Sequence, residues 1–209
     1  MRVATLISAG FFVVAGVSCC SSDAVSKDKQ EFPVLPKSSA SSLSPEAVVR
    51  QFLTWYRPKR ESFGNLPIVP AWLTDDGDTT DIYKVDFKVA EQYLDAIRLS
   101  GFVSEKYLAD ERTQLQRADS TMRAERQSAG PPQGLEYNRI VFSQNPDADL
   151  EKLLRTKPAV TISGDKARVY FPQLPKSEDL RDGADLEFLL VPQQGKWVVD
   201  NIRSVFINQ

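Results

Sequence analysis

The sequence predicts an α+β domain in which N-terminal helices pack on one face of a C-terminal curved antiparallel sheet. Three observations carry this. Apolar residues recur at three- and four-residue intervals in the first part of the chain, the helical period. From Ala159 onward they fall into short β-rich runs separated by Gly-containing turns, the hairpin pattern. Helices first and a meander last is the α+β order.

The 209 residues suit one domain plus extensions. We divide the chain into a leader (1–19), a tether (20–43) and a single folded domain (44–209). The leader has Arg2 ahead of an apolar run from Val3 to Val17, about the length of a signal-peptide core and short for a membrane span. The run ends in Ser18-Cys19-Cys20. The following segment is rich in Ser, Lys and Asp with Pro33 and Pro36, so disorder is expected there.

Within the domain, Ser44-Pro45-Glu46 reads as N-cap, first-turn proline and first-turn acid. Val48, Val49, Phe52, Leu53, Trp55 and Tyr56 give the helix a broad apolar stripe, and Pro58 should stop it near Arg57. Lys59 to Asp81 shows no sustained period and reads as a long loop. Next come an Asp86 N-cap, a helix with Phe87, Ala90, Leu94 and Ile97 on its inner face, and Gly101 as its left-handed stop. A new N-cap at Ser104 begins a helix towards Gln127. Its stripe of Leu108, Leu115 and Met122, with Tyr107, Glu111 and Ala118 between, is thin, so its far end is expected to face solvent. Gly130-Pro131-Pro132 terminates it. Leu135 to Phe142 fits helix or strand equally. A short helix from Pro146 to Leu154, capped by Asn145, precedes two hairpins. One joins Ala159–Ile162 to Ala167–Phe171 through Gly164-Asp165. The other joins Leu186–Val191 to Trp197–Asp200 through Gln194-Gly195, and Ile202 to Ile207 continues or follows that strand.

Composition excludes several chemistries. There is no histidine, and the two cysteines are the adjacent pair at the leader's end. The folded part therefore has no disulfide framework, Cys/His metal site, cysteine nucleophile or serine triad. Near-balanced charge, 26 Lys+Arg against 28 Asp+Glu, gives no electrostatic reason to bind nucleic acid. No cofactor motif is present.

The remaining candidates are side-chain clusters. Tyr93, Tyr107, Tyr137 and Arg139, with Asp86, are candidate pocket residues, since aromatic and polar groups often line ligand cavities. Asp86, Glu91, Glu136 and Asp200 are carboxylates of which two could converge as an acid/base pair. Asp75, Asp76, Asp78 and Asp81 lack a calcium-loop spacing and read as a solvated acidic loop, with no metal expected. Together with Trp72, the first three form a candidate partner loop. The alternating Arg112, Arg117, Arg123, Arg126 and Asp110, Glu111, Asp119, Glu125 read as an exposed ion-paired helix face.

The leader ending in cysteine resembles a bacterial lipoprotein signal, which implies diacylglycerol on Cys19 (or Cys20) and anchoring in the cell envelope, facing the periplasm or exterior. FLTWY, VDFKVAEQYLDAIRLSGFVSEKYL, GPPQGLEYNRIVFSQN and LLVPQQGKWVVDNI together are similar to a family of uncharacterised bacterial lipoproteins carrying a domain of unknown function. That resemblance implies a cystatin-like, nuclear-transport-factor-2-like (SnoaL-like) cone and no established activity. The expected role is a non-catalytic domain binding a small molecule or a protein. Alternatives are a carboxylate-dependent hydrolase or isomerase, and a periplasmic inhibitor or immunity protein wedging the 59–81 loop into another enzyme.

Overall fold

Helix α1 (Pro45–Tyr56) begins as its sequence dictates, with the Ser44 hydroxyl accepting from the Ala47 N–H at 3.2 Å. The computed structural model describes residues 43–73, 81–143, 145–172 and 185–205, with only the backbone described at 72 and 73. The leader, the tether, the acidic stretch Asp75, Asp76, Asp78 and the Trp72 side chain lie outside the described residues. The described residues all fall in one compact unit, Ser39–Gln209.

Beyond Tyr56 the chain does not become a loop. Pro58 sits in a 3₁₀ turn (Arg57–Lys59) that leads into the short helix α2 (Arg60–Gly64). The α-helix stops at Tyr56 with Arg57 as its C-cap, where Pro58 is expected to end it, and the path continues with the tighter 3₁₀ geometry. Arginines fasten this arm to α5 (Pro146–Arg155): Arg57 pairs with Glu151 and Arg60 with Asp147, each at 2.6 Å. Arg50 reaches from α1 to the carbonyls of Leu154 and Thr156, at 2.9 Å each, at the far end of α5. A guanidinium there satisfies carbonyls that a helix C-terminus leaves orphaned.

In α3 (Phe87–Arg98), Asp86 accepts from Lys88 N–H and Val89 N–H, and Ala90, Leu94 and Ile97 are buried as expected. Phe87 is not: at the first helical position it lies 38% exposed, and Tyr93 takes the inward place. Gly101 adopts φ +69° at the corner before α4 (Glu105–Ala124). The stripe of α4 is buried to its far end, contrary to expectation, with Met122 at 0% and Ala118 at 3%, while Ser120, Thr121, Arg123 and Ala124 around it are exposed. Two segments cover it. The chain before α3 is held there by Asp119, which accepts from Val85 N–H, and by Tyr83 N–H bonding Gln127 C=O. The loop after α4 packs so closely at Gly134 that a Cβ would come within 3.3 Å of the Ala118 side chain.

Residues 135–142 are neither helix nor strand but a run of turns, shaped by Asn138, whose Oδ1 accepts from the N–H groups of Ile140 and Val141. Asn145 precedes α5 without a side-chain capping bond.

The sheet is an antiparallel meander in the order β1-β2-β3-β4, with β1 Ala159–Ser163, β2 Lys166–Phe171, β3 Asp185–Gln193 and β4 Lys196–Val205. The β3–β4 turn places Gln194 and Gly195 both at positive φ, the mirror-image geometry that hairpins favour. Alternation sends Ala167, Val169, Phe171, Leu186, Phe188 and Leu190 into the core with Phe52, Leu53, Leu94 and Ile97. A register shift between Leu189 and Leu190 marks a bulge whose extra residue is Asp200, and this bends β4. At that point the α3–α4 corner docks on the strand's edge. Val199 N–H bonds Phe102 C=O, and Ser104 N–H bonds Val199 C=O, a parallel bridge. Ser104 caps α4 through Tyr107 N–H and donates its hydroxyl to Asp200 at 2.6 Å. On the sheet's opposite face Glu187, fully buried, lies between Arg168 of β2 and Arg203 of β4.

Candidate functional site

Helix α4 places Tyr107 and Glu111 one turn apart on the same inward face. The turn run 135–142, pinned by Asn138 (whose amide also donates to the Tyr56 hydroxyl), swings Arg139 over that face. Arg139 then grips Glu111 with two bonds, Nη2 to Oε1 at 3.0 Å and Nε to Oε2 at 3.3 Å. Tyr93 from α3 is buried nearby, and its ionisation is coupled to Glu111, Arg139 and Tyr56.

Beside this pair lies an open cleft of about 240 Å³ between α4, Arg139 and β4, where Asn201 and Ile202 form the far wall. Tyr107, Glu111, Asp110, Gln114 and Arg117 supply the near wall. The Tyr107 hydroxyl is buried and makes no hydrogen bond. Such a group carries a desolvation cost of about 1–3 kcal/mol until a partner arrives.

Burial governs the electrostatics. It pushes the Tyr107 and Tyr93 hydroxyls well above the ordinary tyrosine value, and the Glu111 charge pushes them further, so both remain neutral donors. Burial also raises the Glu111 carboxyl above its usual range, although Arg139 opposes this through its charge and hydrogen bonds. For Arg139, burial works against the cation but is outweighed by Glu111, and the guanidinium stays charged. Asp110 is neutralised by Lys106 one turn away. Arg117, exposed at the mouth, has no ion-pair partner among the described residues.

The structure gathers three of the sequence-predicted pocket residues, Tyr93, Tyr107 and Arg139, and disperses the rest. Asp86 is an N-cap. Tyr137 is 53% exposed in the turn run, pointing away while its neighbour Arg139 turns inward. The carboxylates weighed as an acid/base pair do not pair with one another. Glu91 binds Arg112 at 2.6 Å through both oxygens, Asp200 accepts from Ser104, and Glu136 is exposed. Sequence reading missed Glu111, placing it on an exposed face. The signal was its position four residues from both Tyr107 and Leu115, within the stripe itself. Among the described residues no group of three or more Asp, Glu, Cys or His is arranged to hold a metal, and no helix is long and apolar enough to cross a membrane.

No family model, curated protein or solved structure matches the chain.

Proposed function

We propose that the protein is an envelope lipoprotein, anchored through Cys19, whose domain captures a small anion in the α4–β4 cleft without transforming it. The observation that carries this reading is the unpartnered Tyr107 hydroxyl beside a cleft whose carboxylates are both already neutralised. A neutral donor at the base and Arg117 at the mouth leave the site short of an acceptor and of negative charge. The volume, about 240 Å³, lies below the range of about 300–1,000 Å³ typical of drug-sized ligands, and suits a small carboxylate or phosphate. Catalysis is disfavoured because Arg139 occupies both oxygens of Glu111, the buried carboxylate of the cleft. The mixed helix-on-sheet architecture is compatible with a cystatin-like or SnoaL-like cone, and the leader's terminal cysteine supports the anchor.

The test uses the full chain in mild detergent, titrated calorimetrically with short mono- and dicarboxylates and with inorganic phosphate. Saturable binding of one anion class, weakened at least tenfold by Arg117→Ala and by Tyr107→Phe, supports the reading. Absence of binding, binding indifferent to both substitutions, or turnover of the anion defeats it. Anchoring is tested separately: labelled fatty acid should enter the wild-type chain and not Cys19→Ala.

A further inference from the structure

We infer that two copies of the chain associate through their β1 strands, in antiparallel register about Thr161, to form one continuous eight-stranded sheet. Strand β1 is the sheet's outer strand, and all five of its residues are exposed. Among the described residues it carries none of the usual protection of an edge. Ala159-Val160-Thr161-Ile162-Ser163 contains no charge, no proline and no bulge. Val160 and Ile162 pair with Val169 and Ala167 on the helix-facing side, but the helices do not cover them, and they stand 40% and 56% exposed.

The edge is complementary to itself. In the two-residue hairpin closed by Ser163 and Lys166, with Gly164 at φ +60°, the residues bonding β2 are Ser163, Thr161 and Ala159. The N–H and C=O groups of Val160 and Ile162 therefore point outward. Placing a second β1 antiparallel about Thr161 sets Val160 opposite Ile162 of the second copy, and Ile162 opposite its Val160. Both are hydrogen-bonded pairs with apolar side chains meeting on the same face. Thr161 meets its own counterpart on the two-fold axis. Continuing the register brings Lys157 opposite Asp165 of the second copy, twice by symmetry, and both residues are exposed with no ion-pair partner among the described residues. A slip of two residues one way would set Ile162 against Pro158, which has no N–H to give. The opposite slip would set Val160 against Gly164. The register about Thr161 is the one in which apolar, hydroxyl and charged positions all match.

The test is disulfide trapping of the full chain in mild detergent, in a Cys19→Ala/Cys20→Ala background. Across a non-hydrogen-bonded antiparallel pair the Cα atoms are about 4.5 Å apart, within disulfide reach. Thr161→Cys should then form a covalent dimer at least tenfold faster than Ala159→Cys, whose counterparts lie about 14 Å apart in this register. Sedimentation equilibrium provides the second readout. Lys157→Glu or Asp165→Lys alone should weaken the dimer several-fold, and the double exchange should restore it. A chain that stays monomeric at every concentration, or a dimer trapped equally at both positions, or one indifferent to the charge exchange, overturns the inference.

Discussion

Replacing Glu187 by glutamine keeps the shape of a buried side chain and removes the charge that two arginines share. Glu187 exposes 1% of its side chain and accepts from Arg168 Nε and Arg203 Nε, one on each oxygen. Glutamine offers a single acceptor, so one arginine would face an amide N–H₂ instead. A hydrogen bond to a charged group contributes about 1.5–3 kcal/mol, and breaking a fully buried ion pair costs about 3–5. Arg168 and Arg203 are 46% and 56% exposed, so they can recover water, which places the expected loss near the lower figure, about 2 kcal/mol. With a urea slope of about 2 kcal/mol/M the unfolding midpoint should fall by about 1 M at neutral pH. The sign with pH follows from the carboxyl's shift. Burial pushes Glu187 up, but hydrogen bonds and charges from both arginines outweigh it, and its net position is below the ordinary 4.5. A depressed folded-state value contributes stability above the unfolded value and loses it as pH falls through the folded one. The gap between wild type and Glu187→Gln should therefore be full at neutral pH and narrow progressively below about 4.5. A gap under about 0.5 kcal/mol, or one unchanged down to about pH 3, would refute this account of the sheet's far face.

Three further outcomes are expected. Tyr107→Phe removes a buried hydroxyl with no partner and should raise stability by about 1 kcal/mol in ligand-free protein, read as an increased thermal midpoint. Asp86→Ala removes the acceptor of two first-turn N–H groups and should cost about 1 kcal/mol in a denaturant titration, with anion affinity unchanged. Glu111→Gln should gain stability relative to wild type as pH rises from about 4.5, because the folded state holds the Glu111 proton more tightly than the unfolded chain does. Thermal midpoints of both proteins across that interval would show it, and a difference that moved the other way would contradict the burial assigned to Glu111.

What the sequence revealed was local. Ser44, Asp86 and Ser104 cap helices because a cap needs only a side-chain oxygen and the next three residues. Gly101 and the Gln194-Gly195 turn follow from backbone geometry at single positions. Long-range partners were not legible. Arg50 closing the end of α5, and Ser104 reaching Asp200, depend on which elements meet in space. The same holds for the site: Tyr107 and Tyr93 stood out as aromatic residues, but whether Tyr137 or Arg139 turned inward depended on Asn138 folding the turn run. Glu187 was hidden because strand alternation puts it on the far face, while its charge partners come from two other strands.

The docking of the α3–α4 corner on β4 has a consequence for growth of the sheet. A strand arriving at that edge finds the Val199 N–H and C=O already bonded to Phe102 and Ser104, while no described residue pairs with the outer edge of β1. Pairing along that edge is thus interrupted near its middle. Two chains joined at β1 would each turn outward an edge already interrupted at Val199, which favours a finite assembly over a fibre.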